Sequence, residues 1–414
     1  NIEIDTSGNT IGRKGPKKSH DIFFTRDHWF ELQVGDERLR MNDFDIIQDY
    51  FNRSKMRIPL AHQTFRAMGT PTHRSFPVRV ERNGEFHGTY AFVNGGNEQF
   101  LEELGLSPEA ALYKMRYAFS QQSGFKKMTR RYEDNSDLEA LFAGFDLPTE
   151  LARAAFLLDH VNIPAMVNLL AGLVLTSHED CCNRNLYAYR DTEGTGEWQV
   201  LPYDFDGSLG RGGHTSDTLQ LRSVGVDFHS RGNSLFAALD ANVPGFRSMY
   251  LRRLRTVLDE FLQPPGTPAE DLWFEQQIDE MAQQLAPDAL LDYEKYGGWG
   301  TNPTWPEQVN ILRNEYFPRR RVLLYGLVGD MDLSGTIDRD DVDDFALGLA
   351  APAAYQARYG VPSSLRGDTN YDLRLDFDDI DRFVALVNGA PQWAAALPPA
   401  QLGAPEIEFG AIDV

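Results

Sequence analysis

Asp180, Asn185, Asp204 and Asp206 are the residues of this chain whose types and spacing could do chemistry. An Asp and an Asn five positions apart, followed after a short interval by an Asp-Phe-Asp step, form a set of hard oxygen donors. Such a set suits phosphoryl transfer. One carboxylate accepts the proton of an attacking hydroxyl, while an amide and a second carboxylate hold the divalent metal that neutralises phosphate charge. Little covalent help is needed from protein, so positioned charge is the expected equipment. His178 just ahead of the set reads as a packed residue that orients the loop. It is no zinc-protease signal, because no second His follows at helical spacing.

These residues must be positioned by the elements around them. Residues 163–176 form an apolar stretch that reads as a buried helix running straight into His178. Residues 185–189 and 198–201 flank a Gly-containing turn and read as a hairpin. The order is helix, acidic loop, hairpin, acidic loop. Kinase active sites are built in this order, because the hairpin brings two distant loops together. Upstream, residues 30–34 alternate like a strand and 45–67 read as mostly helical. Residues 76–81 and 86–93 flank Asn83-Gly84, a strong hairpin signal. Ser107-Pro108-Glu109 reads as a helix start, and that helix would carry Lys114. Helices are expected at 136–145, 149–160, 233–261, 269–285 and 306–327.

The chain has 414 residues, enough for two or three domains, and a formal charge of −21. That charge argues against nucleic acid or an anionic membrane as partner. No apolar run of about 18 residues occurs, so no membrane insertion is expected. The two cysteines, Cys181 and Cys182, are adjacent and are read as reduced thiols. The start at Asn1 is read as that of a mature or truncated chain, and no signal peptide is visible.

Acid concentrates after residue 329. Asp330, Asp332, Ser334, Thr336, Asp338 and Asp341 occupy positions 1, 3, 5, 7, 9 and 12 of a loop, with Gly335 at 6. This is calcium-loop spacing: oxygen ligands on alternate residues and a Gly for the sharp turn. The pattern recurs 38 residues later as Asp368, Asn370, Asp372, Arg374, Asp376 and Asp379. Asp at position 12 and Leu373 at the second loop's sixth position depart from ordinary EF-hands. The paired loops resemble type I dockerin modules over roughly residues 329–388. That resemblance implies a small calcium-folded module of secreted proteins with a possible cohesin-type partner.

From about residue 25 to 325 the chain resembles the CotH-like, spore-coat-type atypical protein kinases. The matching pieces are Met56-Arg57-Ile58-Pro59-Leu60-Ala61 through Met68-Gly69-Thr70-Pro71, Val80-Glu81-Arg82-Asn83-Gly84-Glu85, Gly88-Thr89-Tyr90 and Leu112-Tyr113-Lys114. The Asp180/Asn185 loop, Leu201-Pro202-Tyr203-Asp204-Phe205-Asp206 and Asn233-Ser234-Leu235 continue the match. The resemblance implies an α+β chain. A divergent two-lobed kinase-like fold (residues 25–326, lobes about 25–120 and 121–326) would follow a flexible segment 1–24. A small all-α pair of calcium loops (327–390) and an Ala/Pro-rich tail (391–414) would complete it. It further implies a secreted or surface enzyme that moves the ATP γ-phosphate to Ser or Thr of a protein, with Mg²⁺ or Mn²⁺; Ca²⁺ in the C-terminal module is what the loop spacing and the dockerin resemblance imply. Carried over by position, Asp180 would be the base, Asn185 and Asp204 would hold metal, and Asp206 is a second metal candidate. Lys114 is the first choice for a cation on the phosphates and Arg57 the second. Asn94 stands where the family commonly has an acidic residue, and no Gly-rich phosphate loop is recognisable. Those departures keep open the alternative of a catalytically silent coat or surface scaffold. The protein substrate is not written in the sequence.

Overall fold

Alternating side chains build the first part of the molecule as sheet. The computed structural model describes residues 2–7, 15–25, 27–50, 52–116, 119, 124–178, 182, 184–210, 233–264, 266–297, 304–326, 328–334, 336–359, 362–370 and 374–390. Two units divide at residue 321/322.

In the first unit, strands β1 (Ile2–Ser7), β2 (Ser19–Phe24), β3 (Phe30–Val34), β4 (Glu37–Met41) and β5 (Asp43–Gln48) precede helix α1 (Arg57–Ala67). The hairpin β6 (Ser75–Arg82) and β7 (Glu85–Asn94) follows, turning through Asn83 and Gly84, both left-handed as a tight two-residue turn requires. The antiparallel sheet runs in the order β1-β2-β5-β7-β6, and β3 and β4 form a separate ribbon. Leu39, Met41, Phe44, Ile46, Tyr90 and Phe92 make a shared core between sheet and ribbon.

Helix α2 (Glu98–Glu103) is capped by Asn97 and leads to β8 (Ala111–Met115), β9 (Phe125–Lys127), α3 (Ser136–Phe145), α4 (Glu150–His160) and α5 (Ile163–Leu175). Then come β10 (Leu186–Arg190) and β11 (Trp198–Pro202), which join β8 and β9 in a second sheet of order β11-β10-β8-β9. Helices α6 (Ser234–Asn242), α7 (Phe246–Val257), α8 (Trp273–Tyr296), α9 (Trp305–Asn310) and α10 (Phe317–Tyr325) complete a mixed helix-and-sheet fold. Among the described residues no helix is long and apolar enough to cross a membrane.

Three expectations are corrected. Residues 2–7 and 19–24 are paired strands, not a flexible leader: Ile2 and Ile4 alternate with acids, and the whole of β1 pairs with β2. The Gly/Lys-rich residues between them masked that pattern. Residues 45–67 are not one helix; β5 ends at Gln48 and α1 starts only at Arg57. Lys114 lies on strand β8, not on a helix, because the capping-like Ser107-Pro108 pair turns the chain into the second sheet.

A buried charge cluster ties α8 to the five-stranded sheet. Lys17 Nζ lies 2.5 Å from both Asp49 and Asp292, and Lys55 Nζ lies 2.5 Å from Asp292 and 3.2 Å from Asp49. Thr89 completes it, donating its N–H to Asp292 and its hydroxyl to Asp49, both at 2.8 Å. Burial works against the Lys55 ammonium, but Asp49 and Asp292 outweigh it and raise its pKa. Burial likewise opposes ionised Asp292, and the two lysines win, holding it below the usual carboxylate range. Gly88 has to be a glycine here, since a Cβ would meet the Asp292 carboxylate at 2.8 Å. Removing one partner strands buried charge, so Asp292→Ala should cost about 3–5 kcal/mol. Urea unfolding of the variant checks this; a loss below about 1 kcal/mol would show the cluster to be solvated.

The second unit is small and helical: α11 (Asp341–Ala350), α12 (Pro352–Tyr359), α13 (Ser364–Gly367) and α14 (Ile380–Val387). Its core is Met331, Phe345, Tyr355 and Phe383. Phe345 and Phe383 stack with ring centroids 3.9 Å apart. They occupy equivalent places in the 38-residue repeat, so the repeat closes on itself through this pair.

Candidate functional site

The hairpin assembles the site. In the antiparallel pairing of β10 with β11, Leu186 stands opposite Pro202, and the Tyr203 N–H donates to the Asn185 carbonyl at 3.1 Å. Asn185, just before β10, and Asp204, just beyond β11, therefore emerge at the same end of the ladder. Both are left-handed, at φ 63° and 59°. That conformation is costly for residues other than Gly and clusters where function demands it. Asn185 is buried and Asp204 exposed, while Asp206 is half-buried in the turn Phe205–Gly207. Asp180 lies outside the described residues.

Phe205 pins this turn. It is fully buried, stacks on Phe65 of α1 at 5.0 Å, and touches the rings of His62 at 4.5 Å and His178 at 5.0 Å. His178 is also fully buried, with its Nδ1 3.2 Å from the Ser208 hydroxyl. Arg57 holds the next step of chain: its Nε donates to the Leu209 carbonyl at 3.1 Å and its Nη1 reaches Ser54 at 3.2 Å. Its guanidinium is thus buried in fold contacts.

Lys114 lies in the second sheet directly opposite Tyr187 of β10. Its ammonium sits over the Tyr203 ring at 4.6 Å and the Tyr187 ring at 5.9 Å. Burial, then the charges of Asp45, Asp43 and Asp204, push the Tyr187 hydroxyl pKa up. Burial first, and Glu98 next, push Asp43 up to about 6 against the pull of Arg131 and Lys114. Asp45 is raised well above its usual value by burial and by Asp21, its direct cross-strand neighbour.

Sequence reasoning did not assign roles to Asp43, Asp45 or Asn233. Asp45 belongs to a segment read as helix and Asp43 to the residues just before it, so their shared placement on strand β5 was hidden. Asn233 is fully buried; its Oδ1 caps α6 at Phe236 and its Nδ2 donates to the Cys182 carbonyl at 2.8 Å. It therefore anchors the acidic loop to a helix start. Asn94 accepts from the Arg74 N–H at 2.8 Å and donates to Glu103 at 2.6 Å, a clamp between β6 and α2. Cys182 is disulfide-bonded rather than a reduced thiol.

In the second unit the Asp330, Asp332 and Asp341 carboxylates lie within 4.8 Å of one another. Asp341 accepts the Asp332 N–H at 3.0 Å and the Asp338 N–H at 2.9 Å, and Asp330 accepts the Ser334 N–H at 2.9 Å. Thr336 bonds Asp338 at 3.2 Å. In the second loop Asp379 accepts the N–H groups of Asn370 at 3.0 Å and Asp376 at 2.9 Å, matching Asp341. Asp368 is buried and Arg374 exposed; Asp372 lies outside the described residues.

Two buried histidines, His62 against Phe205 and His73 against Phe100, make the fold acid-sensitive. Burial, then His73 and His178, hold His62 well below its ordinary value, and burial with Lys114 lowers His73 to about 3. Unfolded histidines take up protons below about pH 6.5, whereas these two do not. Their contribution is full above about pH 6.5 and declines as pH falls toward about 3, at up to about 1.4 kcal/mol per pH unit for each. Asp43, raised, opposes this below about pH 6. Denaturant midpoints of wild type and His73→Gln between pH 7 and 5 isolate the effect: the wild type should lose about 2 kcal/mol more. Parallel pH curves would rule it out.

Against known proteins, a family model described as "CotH kinase protein" matches residues 4–323. The chain is similar to the inner spore coat protein H of Bacillus subtilis (strain 168), 25% identical over 309 residues that cover 71% of this chain and 79% of the relative. A kinase-family match of this extent supports an atypical-kinase-like function and, in general, use of ATP and metal. With 320 of its 414 residues inside that match, the chain belongs to the CotH kinase protein family.

Proposed function

We propose that residues 4–323 form a protein kinase that transfers the ATP γ-phosphate to Ser or Thr of a protein, in a two-lobed kinase-like arrangement. The observation that carries this is the β10–β11 ladder, which brings Asn185 and Asp204 out at the same end, both in left-handed conformations, ahead of a buried Phe205. The donors fit Mg²⁺ or Mn²⁺: an amide oxygen and the Asp204 and Asp206 carboxylates are the hard oxygens such ions take. Bound Mg·ATP supplies the phosphoryl group and the charge that offsets its oxygens. Asp180 accepts the substrate hydroxyl proton. Lys114 holds phosphate, with Tyr203 beneath it. Arg57, spent on Leu209 and Ser54, is an anchor of the Asp204 turn in this reading. The relative's name, a spore coat protein, fits a secreted or surface setting.

Purified protein incubated with γ-labelled ATP and Mg²⁺ or Mn²⁺ should label itself or a generic acceptor. Asp180→Ala and Asp204→Ala should each lower labelling by about 100-fold or more. Label that persists in both variants would place the chemistry elsewhere. ATP binding without transfer would favour the silent scaffold.

We further propose that the loops 330–341 and 368–379 each hold Ca²⁺ and that this module docks a cohesin-type partner. The clustered Asp330, Asp332 and Asp341 carboxylates support the first loop. Because calcium binding and folding are linked, EGTA should melt α11 and α14 while leaving the first unit's thermal transition in place. Asp341→Ala should remove the calcium response. A calorimetric trace unchanged by either treatment would exclude the site.

A further inference from the structure

Lys114 is one of three cations on a single face of the second sheet. In the β8–β9 pairing, Lys114 stands directly opposite Lys126. Directly opposed residues share a face, so two ammonium groups are held side by side, an arrangement that destabilises a sheet unless something offsets it. The Arg116 N–H continues that ladder, donating to the Gly124 carbonyl at 2.8 Å. Two residues beyond Lys114, its side chain returns to the same face. Lys114 and Arg116 both act electrostatically on the Tyr203 hydroxyl, which agrees with that placement.

Neither Lys114, Arg116 nor Lys126 has a carboxylate at ion-pair distance among the described residues, in a chain with 61 acids to 40 bases. The opposite face differs. There Lys127 pairs with Glu133 at 3.6 Å and donates to the Asp134 carbonyl at 2.5 Å. An ion-pair partner was thus supplied to Lys127, the next residue along the strand, and not to Lys126.

We infer that Lys114, Lys126 and Arg116 form a cradle for the polyphosphate of a metal–nucleotide, with Lys126 and Arg116 as phosphate-contacting residues beside Lys114. The inference rests on the kinase reading for its ligand. Continuing the β8–β10 register past Leu186 and Met115 brings Arg116 beside Asn185. The cations therefore sit at the sheet end that carries the oxygen donors Asn185 and Asp204. A metal–polyphosphate carries both signs and matches both halves. An acidic peptide would meet the cations and be repelled by Asp43 and Asp45.

The test is calorimetric titration of the full chain with magnesium tripolyphosphate at low salt. Lys126 and Arg116 are exposed, so their replacement leaves the core untouched. Lys126→Ala and Arg116→Ala should each weaken binding about tenfold, and Lys126→Arg should retain it. Affinities unchanged within about twofold would overturn the cradle. So would a wild type that ignores tripolyphosphate or binds an acidic peptide instead. Variant-sensitive tripolyphosphate binding in a protein that transfers no phosphate from ATP would uphold the cradle and sink the kinase reading. Transfer that depends on Asp204 with unaltered binding in the two alanine variants would do the reverse.

Discussion

Burial of Phe205 is the constraint on which the site depends. Its ring fills a slot between α1 and the imidazoles of His62 and His178, and its flanking aspartates must leave the apolar interior on either side. A charged side chain could not take that slot without a partner. Locking the aromatic therefore aims the carboxylates, and the left-handed backbone at Asp204 is the conformational cost of that aim. Arg57 on the Leu209 carbonyl and Ser208 on His178 hold the segment after it. Loosening the histidine packing in acid would act on the same turn.

Charge is arranged against the grain of the composition. The net −21 is compatible with a phosphate ligand only where cations are gathered locally. Beside the first sheet Lys17 and Lys55 are consumed by Asp49 and Asp292, and their value is mechanical: with Thr89 they hold α8 against the sheet. In and beside the second sheet Lys114, Lys126 and Arg116 have no carboxylate at ion-pair distance among the described residues, and Lys114 lies over the rings of Tyr187 and Tyr203. Similar residue types thus do opposite work according to whether the fold delivers a carboxylate to them.

The acidic loops beyond residue 329 obey a simpler rule. A 38-residue repeat places Asp341 and Asp379 at the start of equivalent helices, where each accepts backbone N–H groups of its own loop. Phe345 and Phe383 stack because the repeat makes them equivalent. Everything in this unit except the pairing of its halves is local.

That difference explains what was legible in the residues alone. The Asn83-Gly84 hairpin, helix α5, the β10–β11 hairpin and the two acidic loops are short-range patterns whose period or turn chemistry decides the outcome within about a dozen residues. The position of Asn185 and Asp204 at the two ends of one hairpin was legible for the same reason. The strand identity of Lys114 and of Asp43 and Asp45 was not. Ser107-Pro108 reads locally as a helix start, and the pairing of β8 with β9 and β10 overrides it. Nor could local pattern show that Lys17 and Lys55 meet an aspartate more than two hundred residues away, or that Lys126 stands beside Lys114. Composition and short-range pattern determined the tight hairpins, helix α5, the acidic repeat and the donor types. Tertiary structure alone decided which cations are neutralised by carboxylates and which are not, because cross-strand register and long-range burial set the distance between charges.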